Sequence, residues 1–395
     1  MDAAKKMSDK VFVAIIIFVI TIDWMACDIF LPAEPDILAY FGTTAATLNA
    51  TLSVYFIVSA FSVLIGGPLS DEYGRKKMML LGVALFTVFG YGCAVAPSVA
   101  FLIFCRGGAA FGSGIITAVS MAMVKDYLDI ETFQKAMAVL QSVVVLGPVI
   151  SPFLGSFLLI LGGWRWVMAA LGVLGTVALL LACALPETLP AERRVRGGVL
   201  PAMRGLVEVG KDRAFSVMLT VISLICVPFY AFIAVCSYIC ITDFGMSYYQ
   251  YSLFYGGICV VSFTAPFVYL FLDRRLRGKV VLWICFGLLA VTVAGIGLFA
   301  KISPLLFLLV LLPYTYAEGI SRPLGMVVLL NQHEDTSGAA SALTSFATSM
   351  IGTLGTVVAT LNWGNYIDGL FWCFFACLAL ALGLWLLLLK WGVRV

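Results

Sequence analysis

The stretch VFVAIIIFVITIDWMACDIFL, residues 11–31, indicates the fold class of the chain and its most informative residues. It is apolar over about 20 residues, the length that an α-helix needs to cross a bilayer. Asp23 and Asp28 interrupt it. A carboxyl at the centre of a membrane helix costs roughly 2.5–3.5 kcal/mol on insertion scales, and such residues usually face a polar cavity and carry function. We therefore expect a membrane helix whose acids face the interior of a bundle.

The composition of the whole chain is typical of a multi-span membrane protein. Of its 395 residues, 62% are hydrophobic and 11% are charged, and the mean hydropathy is +1.07. Soluble domains contain about 25% charged residues. The first apolar stretch is too long for a signal peptide and lacks its cleavage pattern, so we expect it to be retained. Apolar windows predict twelve transmembrane helices, at 11–31, 47–67, 78–96, 99–123, 136–160, 165–185, 214–239, 250–271, 280–300, 304–330, 337–361 and 367–389.

The distribution of charge predicts the orientation of the chain and its division into two halves. Most of the 24 Lys and Arg residues lie in loops on one side, which places both termini in the cytoplasm. The longest polar interruption, 186–213, predicts a cytoplasmic linker between an N-terminal six-helix bundle at 1–185 and a C-terminal six-helix bundle at 214–395. Basic loops occupy corresponding places in the two halves, DEYGRKK at 71–77 and DRRLRGK at 273–279. Such a weak internal repeat is typical of transporters built from two related halves.

The loop GPLSDEYGRKK, residues 67–77, carries a specific pattern. Gly67 and Gly74 permit a tight turn, while Asp71 and Arg75 are four residues apart and can pair on a helix. Asp71 can also cap a nearby helix N-terminus. The pattern G-x-L-S-D-x-x-G-R-K resembles the loop signature of the major facilitator superfamily. The resemblance implies an all-α membrane fold of two pseudo-symmetric six-helix bundles about a central cavity, working by rocking of the halves.

Three further stretches are similar to one branch of that family, the drug/proton antiporters of the bicyclomycin- and chloramphenicol-resistance type. They are CDIFLPAEP at 27–35, GPVISPFLG at 147–155 and SGAASAL at 337–343. The resemblance spans nearly the whole chain and is strongest in its first half. It implies proton-driven efflux of drugs.

The second of these stretches also has a physical interpretation. Pro148 and Pro152 each remove a backbone donor and bend the fifth predicted helix, while Gly147 and Gly155 let a neighbouring helix approach closely. A packed, kinked seam of this kind can seal one side of a transporter while the other opens. The alternative is the ordinary Pro and Gly content of membrane helices.

Three buried charges are candidates for proton coupling. Asp28 lies about 7.5 Å beyond Asp23 along the first helix and points roughly 140° away from it. Arg106, in the fourth helix, lies at a depth comparable with Asp28, and we expect the two to pair. Burial favours the neutral form of a carboxyl and a neighbouring Arg favours the charged form, so a drug and a proton can exchange there. A purely structural pair of Asp28 with Arg106 remains the alternative. In the family that the chain resembles, the Arg bears on proton coupling.

The tenth predicted helix adds Glu318 and Arg322 as candidates for proton coupling and substrate binding. The two are four residues apart and can pair, but Pro323 disfavours helix at the preceding residue and can break the contact. Arg322 can alternatively be an anchor that reaches the inner membrane surface. An Arg in the cavity suits an anionic or zwitterionic solute. Tyr55 and Tyr230 are candidate substrate-binding aromatics, although packing roles are more common for such residues.

Other functional classes lack their sequence signals. The chain has one histidine, no phosphate-binding loop and eleven cysteines without metal-site spacing, so we expect neither an enzyme nor a metal or cofactor. We expect a monomeric, proton-coupled multidrug efflux antiporter that works by alternating access in the cytoplasmic (inner) membrane. Its partners are a small-molecule substrate, protons and the lipid bilayer, with no nucleic acid. One alternative is the export of a specific endogenous metabolite, such as a siderophore or another anionic or zwitterionic solute. Another is a non-transporting membrane sensor or enzyme on the same fold.

Overall fold

The computed structural model describes residues 7–194, 199–332 and 337–391. The regular structure of these ranges is helical, which confirms the all-α fold class. The single histidine, His333, lies outside the described residues. The helices are α1 Asp9–Asp28, α2 Glu34–Phe41, α3 Ala45–Tyr73, α4 Arg75–Ala94, α5 Val99–Tyr127, α6 Ile130–Gly162, α7 Trp164–Ala184, α8 Val199–Gly210, α9 Arg213–Ser237, α10 Tyr248–Asp273, α11 Gly278–Phe299, α12 Pro304–Gln332, α13 Ser337–Ala359 and α14 Tyr366–Lys390.

Twelve of these helices correspond to the twelve predicted membrane spans. Within the described ranges, eleven stretches are long and apolar enough to cross a membrane. The twelfth span is α6, a helix of 33 residues whose apolar part includes Gly147–Gly162. The remaining two helices, α2 and α8, have 8 and 12 residues and are too short to cross.

The end of the first span differs from the prediction in a way that places an acid. α1 ends at Asp28 rather than at 31, and the chain passes through a short 3₁₀ turn, Leu31–Ala33, into α2. Pro32 explains the change, because proline lacks the N–H that would bond to the Asp28 carbonyl in a continued α-helix. α2 stops at Gly42, which has a φ of 57°, a left-handed conformation that glycine adopts most readily. Asp28 is therefore the last residue of α1, and it is buried.

The chain forms two compact units. The first contains Met1–Thr43 and Val54–Ala202, and the second contains Thr44–Ser53 and Met203–Val395. The change between them near residue 202 falls inside the predicted linker 186–213, which also contains α8. In the first unit α4 packs against α5 and α7, and α1 packs against α6. In the second unit α9 packs against α13 and α14 and is the most enclosed of the described membrane helices.

Candidate functional site

Asp23 lies inside the first unit, where α1 faces α5. Its carboxylate is buried, and Thr117 donates a hydrogen bond to its Oδ2 over 2.7 Å. Ser113, one turn earlier on α5, lies next to the same carboxylate. Among the described residues none donates a hydrogen bond to the second oxygen, Oδ1. Asp23 therefore keeps an acceptor oxygen available in a buried, polar setting.

Arg106, also on α5, is almost fully buried. Its Nη1 donates to the carbonyl oxygen of Ala26 over 3.0 Å, near the C-terminal end of α1. Its guanidinium carbon lies 4.4 Å from the ring centre of Tyr55 and 5.1 Å from that of Phe30. A cation at these positions is stabilised by the helix dipole and by the ring faces. The predicted pairing of Arg106 with Asp28 stays a prediction.

The structure therefore brings together three of the predicted site residues, and sequence reasoning missed two others. Asp23, Arg106 and Tyr55 form a compact group with Ser113 and Thr117, which we call the α1 cluster. It contains one carboxyl group, one guanidinium cation and three hydroxyl groups in the apolar interior of the unit. Such an arrangement can hold a proton or a cationic group against the carboxylate.

The predicted pair at the 67–77 loop forms and belongs to a larger network. Arg75 contacts the Asp71 carboxylate over 2.5 Å through Nη2, and its Nε donates to Asp126 over 2.9 Å. Its Nη1 donates to the Ser70 hydroxyl over 2.5 Å. The tight turn expected at Gly67 is wrong, because α3 continues through it to Tyr73. The Ser70 hydroxyl donates in turn to the Gly67 carbonyl over 2.7 Å.

The cap of α4 comes from a distant part of the chain. Oε1 of Glu187 accepts the backbone N–H of Arg75 over 2.9 Å, in the first turn of α4. Gly74, directly before this helix, has a φ of 100°, which strongly favours glycine. A Cβ there would lie 2.5 Å from Oε2 of Glu187. The carboxylate therefore occupies the place of a side chain at this turn and satisfies a donor at the start of the helix.

The 147–155 stretch faces the end of α1. A Cβ on Gly155 would lie 2.3 Å from the carbonyl oxygen of Ile29, so this glycine permits direct contact with backbone. Gly147 is looser, with its nearest atoms at 3.8 Å. Pro148 and Pro152 both lie inside α6. The close approach predicted for the two glycines is therefore found at one of them, Gly155. Its neighbour is Ile29, the residue that directly follows Asp28 in the chain.

Glu318 and Arg322 form an ion pair within α12 of the second unit. Nε of Arg322 donates to Oε1 of Glu318. Of the two possibilities left open by the sequence, the pair forms and Pro323 does not break it, because α12 runs without interruption from Pro304 to Gln332. Membrane helices tolerate proline where neighbouring groups satisfy the freed backbone.

The ion pair lies against α9. The guanidinium carbon of Arg322 lies 5.3 Å from the ring centre of Phe229. Cys226 and Tyr230, on the same face of α9, also lie near the pair. The two charges differ in accessibility, because the Glu318 side chain is 7% exposed and that of Arg322 is 45% exposed. The accessible charge of the pair is therefore positive.

Comparison with known families decides what kind of protein this is. A family model described as Major Facilitator Superfamily matches residues 13–360. The chain belongs to the Major Facilitator Superfamily. The family resemblance expected from the loop signature is thereby confirmed. The Major Facilitator Superfamily is a family of membrane transporters and not of enzymes.

Curated members of the superfamily resemble the chain over part of their length. It is 25% identical over 240 residues to the uncharacterized MFS-type transporter YdgK of Bacillus subtilis (strain 168), a match that covers 60% of each chain. It is 30% identical over 167 residues to the multidrug resistance protein MdtL of Escherichia coli O127:H6, covering 42% of each. The chain therefore matches less than two thirds of the length of either relative.

A solved structure shows the shared fold. The crystal structure of a D-xylose-proton symporter superposes with a TM-score of 0.72, covers 96% of this chain and 98% of that chain, and has 16% sequence identity. The described helices therefore have the major facilitator arrangement that the sequence predicted.

The two residues of the α1 cluster that sequence reasoning missed, Ser113 and Thr117, carry a weak sequence signal. Ser113 and Thr117 follow Arg106 at spacings of seven and eleven residues, which places all three on one face of α5. That periodicity is visible in the sequence, but Ser and Thr are common in membrane helices. No local periodicity links Glu187 to its partners, because they lie more than 100 residues earlier in the chain.

Proposed function

We propose that this transporter is a proton-coupled multidrug efflux antiporter that works by alternating access in the cytoplasmic (inner) membrane, as a monomer with both termini in the cytoplasm. One observation carries the proposal: the buried Asp23 carboxylate accepts a hydrogen bond from Thr117 at Oδ2, and within the described part of the chain nothing donates to its buried Oδ1. Membrane helices rarely contain such acids, and those that do use them in proton and substrate pathways.

The chemistry of antiport follows from competition for this carboxylate. Burial favours its neutral, protonated form, whereas hydrogen bonds from hydroxyl groups and nearby positive charge favour its ionised form. A cationic drug favours the ionised form in the same way and so displaces the proton. Arg106 contacts the Tyr55 ring of the same cluster and donates to the Ala26 carbonyl of α1, so it links α5 to the helix that carries Asp23.

The relatives support the choice of substrate class. MdtL is named a multidrug resistance protein, and the stretches at 27–35, 147–155 and 337–343 resemble drug/proton antiporters. Broad substrate choice is consistent with the aromatic Tyr55 of the α1 cluster and the adjacent Phe30, because ring faces accept cations of varied shape.

Gradient-driven transport in liposomes tests the proposal. Purified protein is reconstituted into vesicles with an acidic interior, and uptake of ethidium, a permanent cation, is followed by fluorescence. We expect accumulation that a protonophore abolishes. Asp23→Asn should lose it, while Asp9→Asn, a matched change at the exposed start of α1, should keep it. Wild-type uptake that ignores the pH gradient would reject proton coupling, and full activity in Asp23→Asn would reject the role of Asp23.

A further inference from the structure

We infer that the second unit carries a binding subsite for a carboxylate group, centred on Arg322, so that the compounds transported include amphiphiles that bear a negative charge. The inference rests on the proposed function only in taking the ligand to be a transported compound. It concerns the α9–α12 face of the second unit and uses none of the α1 cluster.

The geometry of the ion pair makes Arg322 the available group. A guanidinium presents five N–H donors in a planar fork. Glu318 takes the Nε side of the fork from within α12, and the Arg322 side chain remains 45% exposed. Glu318 is 7% exposed and offers little surface to a cation. A ligand that approaches this pair therefore meets donors, and a carboxylate can accept two parallel hydrogen bonds from the outer edge of the fork.

The surroundings of Arg322 are those of a binding site rather than of a membrane-surface anchor. An anchor extends towards lipid headgroups, but Arg322 lies over the Phe229 ring on the most enclosed helix of the unit. A guanidinium stacked on a ring loses little further entropy when it binds a planar carboxylate. The Phe229 ring is partly exposed and offers an apolar surface beside the charge.

Tyr230 completes the subsite, and packing against α13 fixes the position of its ring. A Cβ on Gly352 of α13 would lie 2.4 Å from the Tyr230 ring, so the ring packs directly on the α13 backbone. Its hydroxyl lies near Ser349 and close to the Arg322 charge. The subsite thus combines a positive fork, an aromatic wall and hydroxyl groups, a combination that suits an amphiphile with an aromatic body and a carboxylate.

A matched pair of ligands tests the inference. Norfloxacin carries an amine and a carboxylate, and its methyl ester keeps the amine but has no negative charge. With the purified protein in detergent micelles, we expect norfloxacin to bind about tenfold more tightly than the ester, a difference typical of one charged hydrogen-bonded contact. Arg322→Gln should bind both equally, and Arg322→Lys should keep part of the preference. Arg274→Gln, an exposed change at the end of α10, should keep all of it.

The outcomes separate this inference from the proposed function. Equal affinity for acid and ester in the wild type, or an unchanged preference in Arg322→Gln, would overturn the carboxylate subsite even where ethidium antiport holds. Absence of gradient-driven ethidium uptake would reject the proposed function whatever the ester comparison gives. Competition by excess phosphatidylglycerol would also overturn the inference, because it would show that Arg322 binds a lipid headgroup. An unchanged melting temperature of Arg322→Gln excludes misfolding.

Discussion

Asp23 depends on α5 for the hydrogen bonds that keep it ionisable. Thr117 donates to it over 2.7 Å, and Ser113 lies beside it. A hydrogen bond to a charged group contributes about 1.5–3 kcal/mol. The balance between protonated and ionised Asp23 is therefore set by residues on a different helix, and small shifts between α1 and α5 change it.

Replacing Thr117 by valine tests this dependence. We expect Thr117→Val to reduce ethidium–proton exchange about tenfold, because the lost hydrogen bond disfavours the carboxylate form that binds a cation. Thr21→Val is the control, since Thr21 donates only to the Ile17 carbonyl of its own helix over 2.7 Å. Initial rates in proteoliposomes give the comparison. Equal losses in the two variants would show that the Thr117 hydroxyl has no special role.

The charged members of the site could be predicted from sequence, whereas its hydroxyl groups could not. Asp23, Arg106 and Arg322 stand out because a charge in an apolar window is costly. Thr117 does not stand out, because threonines in membrane helices usually bond to the carbonyl four residues earlier, as Thr87 does. Only the tertiary structure shows that the Thr117 hydroxyl donates instead to a side chain on another helix.

At the scale of helices, α6 and the end of α1 meet through backbone. Gly155 lies where a Cβ would be 2.3 Å from the Ile29 oxygen, whereas the nearest atoms to a Cβ on Gly147 are at 3.8 Å. The 147–155 motif therefore has one tight position and one loose position, although both are glycine.

Alanine substitution separates the two positions. We expect Gly155→Ala to destabilise the protein by about 1–3 kcal/mol, since a methyl group in a closed contact forces a backbone shift. Gly147→Ala should be tolerated and should slightly favour the helix. Melting temperatures in detergent measure the difference. A melting temperature of Gly155→Ala equal to that of Gly147→Ala would contradict the contact.

The start of α4 is held by a carboxylate that follows α7. We expect Glu187→Gln to lower stability by about 0.5–2 kcal/mol, the range for loss of a helix cap, because the amide lacks the charge that attracts the helix dipole. Glu192→Gln, at an exposed position nearby, is the matched control. Thermal unfolding followed by circular dichroism gives both values. An unchanged melting temperature in Glu187→Gln would show that the cap contributes little.

At the scale of the whole molecule, hydropathy alone was enough to predict the twelve spans, because each depends on local composition. The tertiary grouping of residues was not predictable in this way. Thr44–Ser53, the approach to α3 and its first turns, belong with the second unit. There, Asn49 donates to the Ala234 carbonyl over 2.9 Å, and the hydroxyls of Ser53 and Thr356 are 2.6 Å apart. The first contact joins residues 185 positions apart in the chain, and the second joins residues 303 positions apart. Local sequence patterns do not encode such pairings.

Proton release on drug binding tests the central claim most directly, that Asp23 holds either a proton or a cationic drug. Ethidium is added to weakly buffered, detergent-purified protein, and the pH is followed with a dye. We predict release by the wild type and by Glu318→Gln, and none by Asp23→Asn; Asp28→Asn shows whether the second acid of α1 contributes. Release that persists unchanged in Asp23→Asn, or ethidium binding by the wild type without any release, would contradict the account.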